Sequence, residues 1–412
     1  MKMLIISTIY ELYLKKLYGG RPELREKPYN EQKAALDYDA FGWVDSWSHV
    51  LRPLGYEATE VIANAGLAQR AWAKEHGVRF RESNWLLDIA MARAERERPE
   101  VLFMCDYSTF TYRWLKELRE RCPSIMLVVG WCGAPFTDST VFEAYDIVLS
   151  CVPELVERFR GMGHRAAHLN HAFDPRVLGR IREGFEPSID LSFIGSIVRS
   201  GEYHLGREQI LERVAGEIEI KIFSPSAEST LADGLKMVVA QGVYSVVAGL
   251  RAIGVPNMVL KGIPVLGRFA HFRSRPMRSS GPASGLRSHM RPSVFGLEMY
   301  QSLRDSKVTL NSHIDISPKS ASNMRLFEAT GVGTCLLTDW KENIHELFEP
   351  EKEVITYRTA EECVEKAKWL LEHPEEREKI AKAGQARCLR DHTFYRRAFV
   401  LDEIIKREIA RV

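Results

Sequence analysis

Ten short apolar runs recur along the chain: KMLIISTI (2–9), EATEVIA (57–63), EVLFMCD (100–106), IMLVVG (125–130), DIVLS (146–150), DLSFIG (190–195), EIKIF (219–223), KVTLNS (307–312), TCLLT (334–338) and EVITY (353–357). Several are apolar without interruption, the pattern of strands buried on both faces. Between most of them lie helix-length segments with apolar residues three and four apart, as in FTYRWLKELRERC (110–122) and ELVERFRGMG (154–163). Such alternation predicts an α/β protein with parallel sheets covered by helices on both sides.

The alternation breaks once. After LNHAFDPRVL (169–178) the stretch GRIREGFEPS (179–188) is polar, and a new strand begins at Ile189. A chain of 412 residues exceeds what one hydrophobic core usually fills. Two doubly wound, Rossmann-like domains are therefore expected, over residues 1–175 and 188–390. The tail from Pro374 is almost continuous helix with a break at Asp391–Thr393, and residues 391–412 are expected to cross back onto the first domain.

Charge adds a local feature. The net charge is only +2, yet Gly234–Leu297 holds nine cations and no Asp or Glu. Within a basic insert at about 226–292, the tract FRSRPMRSSGPASGLRSHMRPS (272–293) has two readings. It is a solvated loop, or it grips an anionic acceptor or the headgroups at the inner face of a membrane, where each cation adds about 1 kcal/mol. It lacks the interleaved aromatics of a single-strand nucleic-acid groove, and no nucleic-acid partner is expected.

Seven cysteines without a C-x-x-C pair read as reduced thiols. The apolar start MKMLIISTIY matches a first strand, and the longest uncharged stretch, Met237–Leu250, falls short of the ~20 residues of a membrane span. A cytoplasmic protein is expected, with peripheral membrane contact left open.

The chemistry concentrates in NMRLFEATGVGTCLLTD (323–339). Ligands of open α/β sheets bind beyond the carboxyl ends of strands. SPKSASN (317–323) is a loop rich in capping residues, so Lys319, Ser320 and Asn323 precede a helix with Arg325 in its first turn. Glu328, three residues on, shares that face and suits a vicinal diol such as a ribose, while Arg325 suits a phosphate. The same two residues also read as an ordinary surface ion pair on a helix stopped by Gly331.

Other candidates follow other strands. Gly195 and Ser196, with Arg199 or Arg207, would let backbone and cation approach a phosphate, or form a plain βα loop. Tyr18-Gly19-Gly20 marks an acceptor wall or a turn. Asp106, ending a buried strand, and His171, at the hinge, are candidates for a general base, although lone residues at such points are usually structural. Asp37-Tyr38-Asp39 imitates a metal-binding D-x-D but falls in a helical stretch, where it reads as a solvated face. With no other cluster of metal-ligand spacing, no metal cofactor is expected.

Taken together, NMRLFEATGVGTCLLTD, the ELF at 346–348, HPEEREKIAKAG (373–384), HTFYRR (392–397), VFGLEMYQSLRDSKVTLNSH (294–313), DLSFIGS (190–196), FGWVDSW (41–47) and NAGLAQRAWAKEHG (64–77) resemble the GT-B fold glycosyltransferases, specifically the spore-maturation CgeB-like group. The likeness spans most of the chain except about 226–292. It implies a GT-B fold whose second domain binds a nucleotide-diphosphate sugar and whose first presents an acceptor hydroxyl. In retaining members two glutamates eight positions apart mark the donor site, the second holding ribose. Glu328 matches the second, whereas Ser320 stands at the first. The resemblance implies sugar transfer to a glycan or other hydroxyl acceptor. A sugar-nucleotide epimerase, or a non-catalytic glycan- or nucleotide-sugar-binding protein, are the alternatives.

Overall fold

The computed structural model describes residues 1–136, 138–182, 184, 186–197, 205–228, 242–251, 284–313 and 317–411. The predicted candidate Arg199 and most of the basic insert lie outside these residues.

Two six-stranded sheets form, and every strand pair is parallel. In the first, β1 (Lys2–Ser7), β2 (Glu57–Ile62), β3 (Val101–Met104), β4 (Leu127–Trp131), β5 (Ile147–Ser150) and β6 (Ala166–His168) run in the order β2-β1-β3-β4-β5-β6. In the second, β7 (Ile189–Ile194), β8 (Ile220–Phe223), β9 (Met290–Arg291), β10 (Ser306–Asn311), β11 (Cys335–Asp339) and β12 (Ile355–Tyr357) run β12-β11-β10-β7-β8-β9. In each sheet the order reverses beside the first strand, at β1/β3 and at β7/β10. Crevices open at such reversals, because successive crossover helices there pack on opposite faces.

Burial explains the uninterrupted apolar runs. Leu102, Phe103, Val128, Val129, Val148 and Leu149 are fully enclosed in the first sheet. The second sheet carries a separate core on each face, one around Phe327, Ala329 and Leu336, the other around Leu191, Phe193 and Leu211.

The last helix, Phe394–Ile409, leaves the second lobe and packs on the first. Its Phe394, Ala398, Leu401 and Ile405 join the first core, with Phe394 edge-on to Trp47 at 5.1 Å. Tyr56 donates its hydroxyl to Asp402 at 2.8 Å. No helix among the described residues is long and apolar enough to cross a membrane.

Three local expectations need correction. Tyr18-Gly19-Gly20 is not a connecting turn but the C-terminal end of the helix Glu11–Gly20, with the Tyr18 hydroxyl bonded to Gln32. Asp37 and Asp39 are not a solvated face. Asp37 pairs with Lys33 at half-buried positions, and the Asp39 carboxylate presses against Gly296 of the second lobe, where an added Cβ would collide with it. Gly331 is not a left-handed cap. It is required for space against the Phe173 ring, and the positive φ falls at Gly333 (φ +85°).

Candidate active site

β10 ends in Asn311, whose side chain fixes the loop that follows. Its amide donates to Thr338 Oγ1 at 2.9 Å, and its carbonyl oxygen accepts from Asn323 Nδ2 at 2.8 Å. From the other side Asn343 clamps Ala321 through both its amide groups, at 2.6 and 3.3 Å. The loop 317–323 is thereby pinned before the helix Arg325–Gly331 begins. Met324 holds the cap position in a helical conformation, so none of the expected capping side chains caps this helix.

Arg325 and Glu328 then meet on one face, Nη1 to Oε2 at 2.9 Å, with side chains 15% and 6% exposed. This is not a solvated surface pair. Burial pushes the Glu328 carboxyl up, and the Arg325 charge only partly offsets that. Arg325 also reaches Met299 Sδ at 3.2 Å, while its Nε and the Asn323 Oδ1 are buried without a protein partner. A guanidinium has five donors, so this one keeps capacity for a ligand.

These groups line a cleft of about 370 Å³ between the lobes. The second lobe supplies Gly195, Arg207, Met299, Asn311, Asn323, Arg325 and Glu328; the first supplies Thr8, Ile9, Tyr10, Phe41 and Gly42. Gly195 follows β7 directly and bonds back to Phe223 O at 3.1 Å. Arg207 staples two strand-end loops, donating to Ser196 O at 2.9 Å and to Ser312 O. Of the predicted residues, the cleft thus gathers Gly195, Arg207, Asn323, Arg325 and Glu328, with Ser196 held beside them.

Four others go elsewhere. Lys319 is exposed and lies outside the cleft lining, its backbone N–H on Glu154 Oε1 at 3.2 Å. Ser320, at the position of the missing glutamate, lines a different inter-lobe cavity of about 650 Å³ with Glu154, His168, Asn170, Glu342 and Asn343.

Asp106 is a strut rather than a base. Its oxygens accept from Ser108 N and Oγ, Thr109 N and Oγ1, and Thr8 Oγ1 at 2.6–3.1 Å. Burial raises its pKa, but the hydrogen bonds from Thr109, Thr8 and Ser108 outweigh that and hold it below the ordinary value. Five donors saturate the roughly four lone-pair sites of a carboxylate, leaving none for a substrate proton. Through Thr8 it shapes the cleft indirectly.

His171 stands among Trp43 and Trp131, ring centres 5.5 and 5.3 Å away. Burial first, then the Arg397 charge, pushes its pKa down to about 3. A base that weak takes no proton from an alcohol near neutrality.

Tyr10, Phe41, Met299 and Asn311 were not singled out from the sequence. Asn311 carried a signal, a polar residue ending a buried strand; an exposed Tyr10 carried none. Among the described residues, no three His, Cys, Asp or Glu side chains gather as a metal-holding group.

Residues 265–403 match the family described as glycosyl transferase-like. No curated protein matches the chain. Solved structures align over nearly the whole length at low identity. Sucrose-phosphate synthase from Thermosynechococcus elongatus aligns with TM-score 0.55, 10% identity and 100% of both chains. HepE from Anabaena, in complex with UDP and glucose, gives 0.53 and 10% over 98% of this chain and 99% of its own. AviGT4, a glycosyltransferase involved in avilamycin A biosynthesis, gives 0.52 and 11% over 100% and 99%. The chain therefore has the GT-B fold, and its C-terminal third carries a glycosyl transferase-like sequence match.

Proposed function

We propose that the protein is a nucleotide-sugar-dependent glycosyltransferase of the CgeB-like group, acting without a metal on a glycan or other hydroxyl acceptor. The observation that carries this reading is the buried Arg325–Glu328 pair in the wall of the inter-lobe cleft, beside Gly195 and the unpartnered Asn323 oxygen.

On this reading Glu328 accepts hydrogen bonds from the ribose diol and Arg325 turns its remaining donors to the diphosphate. Gly195, with no side chain, lets phosphate approach the end of β7. Positive charge aimed at the leaving diphosphate lowers the barrier, because charge builds there as the glycosidic bond breaks. Tyr10 and Phe41 offer apolar ring surface across the cleft, suited to the flat face of a sugar. The UDP and glucose bound by the structurally similar HepE support a uridine donor as the first to try.

A thermal-shift screen against UDP, GDP, dTDP and CMP, followed by donor-turnover assays, tests the proposal. At about 100 times its dissociation constant, a bound nucleotide stabilises by ~2.7 kcal/mol. Stabilisation by none of the four, with no donor turnover, would sink it.

A further inference from the structure

Beside the cleft, at the carboxyl ends of β10, β11 and β12, lies a separate cavity of about 310 Å³. His313, Asp339, Trp340, Lys341 and Arg358 line it, and none of these lines the main cleft. Arg207 and Ser312 border both. Three cations thus surround the cavity against one carboxylate.

That carboxylate is already committed. Asp339 Oδ1 accepts from the His313 backbone N–H at 3.0 Å and from its Nδ1 at 2.7 Å, and Oδ2 lies 3.3 Å from Lys341 Nζ. Burial would raise its pKa, but His313 and Lys341 outweigh that and bring it down to about 2, so it stays ionised.

The donors around it are only partly used. Arg358 stacks its guanidinium 3.8 Å over the Trp340 ring, which fixes the plane of the fork, and no acceptor among the described residues takes its side-chain N–H groups. The Lys341 side chain is 12% exposed, and its Nζ bonds Pro318 O at 3.1 Å besides facing Asp339, leaving one of its three hydrogens. The His313 side chain is 1% exposed, and its Nε2 is buried with no partner. With Nδ1 on Asp339, that nitrogen accepts from a hydroxyl when the ring is neutral and donates to an oxygen when it is protonated.

Unspent cationic donors together with one ambivalent imidazole match a phosphate group, which offers acceptor oxygens and, near neutral pH, also a hydroxyl. The cavity has room for a small molecule. We propose that this cavity is a second, phosphate-binding site, distinct from the main cleft, for the phosphate group of a small metabolite.

Calorimetric titration of inorganic phosphate into the full chain, alone and with UDP in excess, tests this. Phosphate is expected to bind, to remain bound with UDP present, and to bind roughly tenfold or more weakly to Arg358→Gln and to Lys341→Gln, since each removes a charged donor. Arg358 is exposed, so its variant is expected to melt within a few degrees of wild type. Undetectable phosphate binding at tens of millimolar, unchanged affinity in both variants, or complete displacement by UDP overturns the proposal. Should UDP not bind at all, the donor assignment falls while the variants still decide the phosphate site.

Discussion

Arg325 Nη1 lies 2.9 Å from Glu328 Oε2 with both side chains largely withdrawn from water. A buried pair of this kind gains little net stability from its own attraction, because desolvation opposes it. Removing one partner is another matter, since the survivor is left charged and unpaired, at about 3–5 kcal/mol.

Arg325→Met or Glu328→Leu alone is therefore expected to destabilise the fold by roughly that amount, and the double replacement to recover most of it. Stabilisation by UDP is expected to be absent from all three. Melting curves with and without nucleotide separate the two effects. A double variant that UDP stabilises as strongly as the wild type would show that the pair has no part in nucleotide binding.

The helix carrying these residues is only seven residues long, and the helix Pro374–Asp391 braces it. Gln385 Nε2 donates to Gly331 O at 3.0 Å, and Cys388 Sγ reaches Phe327 O at 3.3 Å. Such closeness depends on Gly384, where an added Cβ would land on the Glu353 carbonyl oxygen and touch the Thr330 methyl. Gly384→Ala sets a helix-propensity gain of up to ~1 kcal/mol against overpacking of about 1–3 kcal/mol. The obstacle is backbone rather than a flexible side chain, so overpacking is expected to win, with a net loss of about 1–2 kcal/mol in urea denaturation. Gly161→Ala, where a Cβ meets nothing, serves as control and is expected to be neutral or slightly stabilising. A stabilised Gly384→Ala would contradict the close packing.

Much of this was legible in the sequence because it is local. All ten apolar runs became strands: most hold several consecutive enclosed residues, a pattern that no neighbour need supply, while in Ile220–Phe223 enclosed and partly exposed residues alternate. β6 and β9 left none: Ala166–His168 is short and only partly covered, and Met290–Arg291 is two residues inside a basic tract. The crossing of the last helix could be anticipated, but not its seat against Trp47 and Tyr56. The Arg325–Glu328 contact follows from three-residue spacing on one helix. The parting of Ser320 from Glu328 does not, because Asn311 and Asn343, from two other segments, decide where the loop 317–323 runs. Asp106 failed as a base for the same reason: one of the donors that saturate it, Thr8, is 98 residues away.

The junction between the last two helices makes stability depend on pH. His392 is buried, with Nδ1 2.9 Å from Arg397 Nη2 and Nε2 2.7 Å from Leu347 O. A guanidinium can only donate, so Nδ1 accepts and the ring proton sits on Nε2, donated to the carbonyl. Protonating Nδ1 would break that arrangement and bury a second cation beside Arg397. Burial, opposed by the bond to Leu347 and reinforced by Arg397, brings the His392 pKa down to about 4, whereas the unfolded residue titrates near 6.5. Between those values the unfolded chain binds the extra proton, so the stability is complete above pH 6.5 and is lost as pH falls towards 4, by roughly 3 kcal/mol. His171, lowered to about 3, acts in the same sense over a range reaching further into acid. Urea midpoints measured from pH 7.5 to 4 are expected to fall steadily, and less steeply in His392→Gln, whose amide can still donate to Leu347 but does not titrate. An equal slope in that variant, or a midpoint that rises towards acid, would mean that His392 is charged in the folded protein.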